Sequence, residues 1–217
     1  SREKTLKFTI LESQRALAIR ISNTPGGDGT PFLIRGRFGS GTDMAGNDIV
    51  PFTANITQFD DVVLPEVQSS ILNLTNGKLI IITTETIDTM LIDTSKFQLQ
   101  NVSGESDLYL TGANVDANDG VNVTLTLTEA QRVRAIEISA TPGGDNEEAV
   151  LEIGAGGVTD YAGNKVLQTA GITIQELPDI ETPKLESATI NYGTGIIIIE
   201  CSETIDSTPD GRVDLSY

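Results

Sequence analysis

The chain repeats itself. Residues 8–50 align with residues 125–167 at a constant shift of 117, and 19 of the 43 paired positions are identical. A second stretch follows at a shift of 118, pairing Pro65 with Pro183 and IIITTETID at 80–88 with IIECSETID at 198–206. Such periodicity is the signature of a structural unit that recurs along the chain, and it constrains the fold more than any local propensity. One complete unit is expected at 64–181. Residues 1–63 then match the C-terminal part of a preceding repeat, and 182–217 the N-terminal part of a third. Two organisations fit: a window on a longer tandem array, or neighbouring chains that complete each other's partial units head to tail. The array is the usual meaning of this kind of repeat.

Within a unit the signals are those of strands. Residues 67–74 and 78–84 flank Asn76-Gly77, a pair that tolerates the positive φ of a tight hairpin turn. The run IIII at 196–199 is apolar on both faces, which suits a strand covered from both sides. Further strands are expected at 96–102, 107–111, 121–127, 149–153 and 165–174. In 121–127 the alternation places Val121, Val123, Leu125 and Leu127 toward the core. Thr128 and Gln131 have the spacing of a capping box, and Ala130, Val133 and Ile136 recur at helical spacing. A short helix is therefore expected at 129–138, with its counterpart at 12–21. About seven strands per unit predict an all-β fold of tandem immunoglobulin-like β-sandwiches, each with one short helix.

Composition narrows the chemistry. Fourteen Lys and Arg stand against 31 Asp and Glu, a formal charge of −17. A field of that sign repels nucleic acid and anionic membrane surfaces, so neither is expected as a partner. Histidine is absent, which removes Ser-His and Cys-His nucleophiles and His-ligated metals. The single Cys201 reads as an inert thiol. No apolar run approaches the ~18–20 residues of a membrane-spanning helix, and SREKTLKF at the start does not read as a signal peptide. The expectation is a soluble stretch, with any export signal outside it.

The landmarks, taken in order, are ETID at 85–88 and 203–206, LTEAQR at 127–132, TPGGD at 24–28 and 141–145, and D-x-A-G-N at 43–47 and 160–164 before a Pro-containing junction. This series resembles the bacterial Ig-like or cadherin-like repeats strung through large extracellular surface proteins of the S-layer, swimming-motility and adhesin type, with similar modules in algal and protist surface proteins. The resemblance covers essentially the whole chain. It implies an extracellular or cell-surface location and a non-catalytic building block of a filament, appendage or stalk. Its partners would be neighbouring repeats or copies of the same protein in a filament or surface layer. The alternatives are an adhesin-type module recognising glycan or protein through its loops, and an accessory domain of a carbohydrate-active enzyme. The resemblance transfers no catalytic residue.

Each motif also has a local reading. In D-x-A-G-N the Asp can close an Asx-type turn, with Gly46 or Gly163 in the left-handed region. The functional reading is Ca²⁺, which takes six to eight oxygens. Its ligands would be Asp43 or Asp160 with junction carboxylates such as Asp60, Asp61, Asp179 and Glu181. No other cofactor is called for. TPGGD lacks the Gly-Lys-Ser/Thr continuation of a phosphate loop and reads as the turn leaving the helix. Glu85 with Asp88, and Glu203 with Asp206, read as solvated or hydrogen-bonded residues at a strand end. Sequons occur at Asn55, Asn73, Asn101 and Asn122, and the last two are expected to point outward as glycan acceptors. Residues 91–106 and the insertion at 207–211 diverge most between copies, which makes them candidates for partner-specific loops.

Overall fold

The computed structural model describes residues 4–104 and 107–208. The part of the 207–211 insertion beyond residue 208 therefore lies outside the described residues. In chain order the elements are α1 (Glu12–Arg20), β1 (Leu33–Gly36), β2 (Phe52–Asn55), β3 (Val67–Asn73), β4 (Lys78–Ile87), β5 (Phe97–Asn101), β6 (Asp107–Tyr109), β7 (Asn114–Val115), β8 (Gly120–Thr126), α2 (Glu129–Glu137), β9 (Ala149–Ile153), β10 (Thr169–Leu177), β11 (Leu185–Asn191) and β12 (Ile196–Cys201). Two 3₁₀ turns, Thr89–Leu91 and Thr94–Lys96, follow β4. The fold is all-β.

Eight strands form one curled sheet in the order β6-β5-β9-β10-β3-β4-β8-β7. Neighbours are antiparallel except β10 and β3, which run parallel from Ile174↔Ser70 to Leu177↔Asn73. The curl brings β7-β8-β4-β3 over β10-β9-β5-β6. Between them the inward side chains, among them Leu72, Leu79, Ile81, Phe97, Leu99, Val123, Leu125, Leu151 and Ile153, form one fully buried cluster. Burial in β4, β5, β8 and β9 alternates along each strand because successive side chains point to opposite faces. Each buried Leu or Ile contributes roughly 1.5–3 kcal/mol.

Helix α2 begins where the sequence places it. Thr128 Oγ1 accepts from Gln131 N at 3.3 Å, and Gln131 Oε1 accepts from Thr128 N at 2.9 Å, which closes the capping box. The Gln131 amide also donates to the carbonyls of Tyr109 and Thr111, both at 3.1 Å, so the cap holds the end of edge strand β6. Ala135 and Ile138 enter the core. In α1 Leu11 replaces the Thr, and only the Gln14 half of the box survives, Leu11 N donating to Gln14 Oε1 at 2.9 Å.

Three local expectations need correction. The β3–β4 hairpin is not a two-residue turn: Asn73 pairs with Lys78, leaving a four-residue loop in which Gly77 alone has positive φ. Leu74, in that loop, is fully buried, and a tight Asn-Gly turn would have displaced it from the core. Strand β10 starts at Thr169 rather than 165, because Lys165 pairs in an isolated bridge with Thr159 and Leu167 is exposed. Gly171, at φ 70°, marks a register shift within β10. Finally, among the described residues β12 pairs with β11 alone, and Ile196–Ile199 are 48–62% exposed, whereas the equivalent β4 lies between β3 and β8. Val121 is half-buried, while Val123, Leu125 and Leu127 are buried as expected.

Candidate functional site

A subset of the polar residues that the two copies share, the Glu and Arg of each helix with the Glu of each ETID motif, converges at two joints. At the first, α1 meets the end of β4. Arg15 Nε donates to Glu12 Oε2 at 2.6 Å and its Nη2 to Glu12 Oε1 at 2.9 Å, a bidentate pair set by their i, i+3 spacing on one helix face. The same guanidinium binds Asp61, in the segment leading to β3, and lies 3.4 Å from Glu85 Oε1. Glu12 Oε1 in turn accepts from the backbone N–H of Thr86 at 2.8 Å. Helix, connecting segment and strand end are thus held by one cation.

The second joint repeats this. Arg132 forms the bidentate pair with Glu129 at 2.8 and 2.9 Å, meets Asp179 at 2.5 Å and lies 3.8 Å from Glu203. Glu129 Oε1 accepts from Thr204 N at 3.0 Å. Arg132 also donates to the Leu74 carbonyl at 3.0 Å. Its side chain is 7% exposed against 30% for Arg15. The hydrogen bonds from Arg132 hold the Glu129 carboxyl down at about 2, and burial opposes them. At Glu12 burial works to raise the pKa, but hydrogen bonds from Arg15 and Thr86 outweigh it and leave it lowered. Strand pairing beside each joint is also shared. Glu66 N donates to Thr84 Oγ1 and Lys184 N to Ser202 Oγ, both at 2.9 Å.

The first joint has further partners from the D-x-A-G-N turn. Gly26 packs so closely that a Cβ there would lie 1.7 Å from the Tyr161 carbonyl oxygen. Arg20 lies 5.2 Å from the centre of the Tyr161 ring, and Tyr161 Oη donates to Asp119 Oδ2 at 2.5 Å. Burial and that hydrogen bond push the Tyr161 hydroxyl up to about 12. Asp119 also accepts from Thr89 N and Oγ1 at 2.9 and 2.7 Å, so the 116–120 loop is a structural brace. An open cleft of ≈ 680 Å³ beside this contact is lined by Ala16, Leu17, Arg20, Asp119 and Tyr161 among others.

Within the joint, Asp61, Glu85 and Asp160 each place a carboxylate oxygen within 4.8 Å of the other two. Glu85 is 7% exposed, and its buried Oε2 has no hydrogen-bond partner among the described residues. Burial pushes the Glu85 carboxyl up to about 7; Arg15 counteracts this, while the charge of Asp61 and both the hydrogen bond with Asp160 and its charge add to it. Of the two readings of Glu85, solvated or hydrogen-bonded, the second holds: it is buried at the end of β4, beside Arg15 and Asp160. Asp160 is also buried, and it serves the turn as expected: Oδ1 accepts from Asn164 N at 2.7 Å and Oδ2 from Asn164 Nδ2 at 2.9 Å. Asn164 Nδ2 reaches the Asp61 carbonyl at 3.2 Å.

Of the anticipated metal ligands, the structure brings Asp61 and Asp160 together. Asp43 closes the equivalent turn through Ala45 N and Asn47 N, both at 2.8 Å, but it is exposed, and its hydrogen bonds from Asn47 lower its pKa. Asp60 and Glu181 are exposed, and Asp179 belongs to the second joint. The TPGGD segments are helix exits in which Ser22 and Ser139 accept from the N–H of Thr24 and Thr141, both at 3.1 Å. Among the sequons, Asn55 and Asn122 are exposed and Asn73 is half-buried. Asn101, expected to point outward, is instead 4% exposed, with Nδ2 3.3 Å from Asp145 Oδ2; its register in β5 turns it inward. Among the described residues no helix is long and apolar enough to cross a membrane.

No family model and no curated protein matches the chain. Among solved structures, it is similar to the N-terminal part of the bacterial S-layer protein SbsC, at 15% identity and a TM-score of 0.37, over 64% of this chain and 31% of that one. It is also similar to domains 1–6 of the surface layer protein SbsC, at 15% identity and a TM-score of 0.36, over 64% of this chain and 18% of that one. The chain spans less than a third of the length of either structure.

Proposed function

We propose that the chain is a segment of a tandem array of Ig-like repeats, divided at 1–63, 64–181 and 182–217, which serves as a stiff extracellular building block of a filament, stalk or surface layer. The observation that carries this reading is the recurrence of one joint. Glu12, Arg15, Asp61, Glu85 and Thr86 make the contacts that Glu129, Arg132, Asp179, Glu203 and Thr204 make one repeat later. A spacer needs its units to meet at one angle, and a repeated charge-assisted clamp spanning helix, connector and next strand supplies that. Pro65 and Pro183 beside the clamps restrict φ further.

The strand order supports the Ig-like reading of the unit. β3-β4-β8-β7 has the neighbours of an A-B-E-D sheet and β10-β9-β5 those of G-F-C, with the first and last strands paired in parallel. The shared polar residues serve joints and turns, and the core is filled by apolar side chains, which suits mechanical duty rather than turnover.

The stiffness is tested by spin labels at exposed Met44 and Tyr192 in a Cys201→Ser background. A single narrow distance distribution is the expected result, and a broad one refutes the stiff array. Labelling of intact cells by antibody against the chain tests its location.

A further inference from the structure

We propose that the first joint selects its neighbour: Arg20 and Gly26 of the first unit form a surface that accepts a following repeat carrying the Tyr161–Asp119 pair. The proposal rests on the tandem-repeat reading and deepens it by naming the kind of repeat that fits.

The contact is built from both units. Arg20 ends α1, and Gly26 lies in the turn leaving that helix. Tyr161 is the variable residue of the second unit's D-x-A-G-N turn, and Asp119 sits in the loop before β8. The Arg20 guanidinium stands 5.2 Å from the centre of the Tyr161 ring, with Nη1 3.4 Å from Tyr161 Oη. That placement gives cation–π attraction. The hydroxyl in turn donates to Asp119 Oδ2 at 2.5 Å. Burial disfavours the Asp119 carboxylate, yet hydrogen bonds from Tyr161 and Thr89, with the charge of Arg20, leave its pKa lowered. The ring is thus held between a cation on one unit and an acid on the next.

These three positions change identity between the copies, while the Glu, Arg and Asp of the clamp do not. At the constant shift of 117, Arg20 corresponds to Glu137, Tyr161 to Met44 and Asp119 to Arg2. Glu137 is engaged by Arg134 at 2.7 Å, and the counterpart of Arg134 is Leu17. Methionine offers neither a ring face nor a hydroxyl, and arginine in place of Asp119 reverses the charge that Arg20 meets. Gly26 and Gly143 both have positive φ, but their surroundings differ. A Cβ at Gly26 would lie 1.7 Å from the Tyr161 carbonyl oxygen of the next unit, whereas at Gly143 the nearest atom belongs to Ile136 of its own unit, at 3.2 Å. The shared clamp sets how two repeats meet, and the variable residues set which two. A following repeat of the first unit's kind would bring a methionine and an arginine to Arg20, which removes an attraction and adds a repulsion. Discrimination between similar partners uses both.

The test is the distance between spin labels at exposed Met44 and Leu167, one on each unit, in the 217-residue Cys201→Ser chain. The parent should give one narrow distribution. Arg20→Glu, which installs the residue that α2 carries, should broaden it about twofold, and about 0.5 M salt should reverse part of this, because the added fault is repulsion between exposed carboxylates. Arg20→Ala should broaden it less and without salt dependence. Tyr161→Met, which installs the first unit's residue, should broaden it with Arg20 intact. Circular dichroism shows that each variant is folded. The proposal is overturned if Arg20→Glu or Tyr161→Met leaves the distribution as narrow as the parent's. It is equally overturned if Arg20→Glu matches Arg20→Ala at every salt concentration, which would make the contact blind to its neighbour's charge. A narrow parent with insensitive variants sinks the selection and leaves the stiff array standing; a broad parent sinks the stiff array itself.

Discussion

Replacing each joint arginine by methionine separates two clamps that have the same sequence but different surroundings. Methionine keeps the apolar stem and removes the charge and the donors. At Arg132 the loss strands the carbonyl of the fully buried Leu74, which accepts at 3.0 Å, and leaves Asp179 and Glu129 without their partner. An orphaned buried carbonyl costs about 1–3 kcal/mol. Breaking a fully buried ion pair costs about 3–5 kcal/mol, to be reduced here because both carboxylates are partly wet. Arg132→Met should therefore lose about 3 kcal/mol. Arg15 donates to carboxylates alone; Asp61 and Glu85 beside it are largely buried, but Glu85, already pushed up to about 7, takes up a proton when its cation is lost, so Arg15→Met should lose less, about 1–2 kcal/mol. Urea unfolding followed by far-UV circular dichroism reads both, as midpoint shifts at constant slope. Equal losses in the two variants, or a loss at Arg132 below about 1 kcal/mol, would refute the argument that the buried carbonyl decides the difference.

Other tests follow from single residues. Because Arg132 holds Glu129 down at about 2, the ionised carboxylate stabilises the fold above pH ~4.5, the ordinary value for the unfolded chain, and this stabilisation disappears as pH falls toward 2. Glu129→Gln should thus melt lower than the parent at pH 7, and the gap should close by pH 2; a constant gap would contradict it. Gly144→Ala should destabilise by ~1–3 kcal/mol, since its Cβ would lie 2.0 Å from the Ser139 carbonyl oxygen, while Gly120→Ala, with its nearest neighbour at 3.8 Å, should cost less than half as much in the same denaturation experiment. On expression in a glycosylating host, peptide mapping should find Asn101 unmodified, because it is buried in β5, with any glycan at exposed Asn55 or Asn122.

What could be read from the chain alone was what depends on near neighbours. The alternation in 121–127 defined β8 and its inward face, and Thr128 with Gln131 marked the first turn of α2. The helix at 12–21 was legible from its copy despite Leu11 at the cap. What failed depended on distant groups. Leu74 stretched the hairpin loop because a core built from six other strands had room for it, which Asn-Gly could not signal. Sequence left Glu85 as either a solvated or a hydrogen-bonded strand end, because the neighbours that bury it lie 24 residues before it, at Asp61, and 75 after it, at Asp160. The periodic ETID motif did hold a clue: an acid kept in both copies beside a Thr whose N–H meets a helix Glu. Asn101 turned inward because pairing with β9 sets the register of β5, and a strand's facing is fixed by its ladder rather than by its own residues.

The parallel contact between β3 and β10 bears on how such a unit would respond to tension. The polypeptide enters at the start of β3 and leaves at the end of β10, and these two strands lie side by side in the same direction, joined from Ser70 to Leu177 and by Leu74 N to the Leu177 carbonyl at 3.0 Å. A force that separates the two ends drags one strand lengthwise along the other. The rungs between them are then loaded together in shear instead of opening one at a time from an end, so the first and last strands act as the latch that keeps the sandwich shut under load.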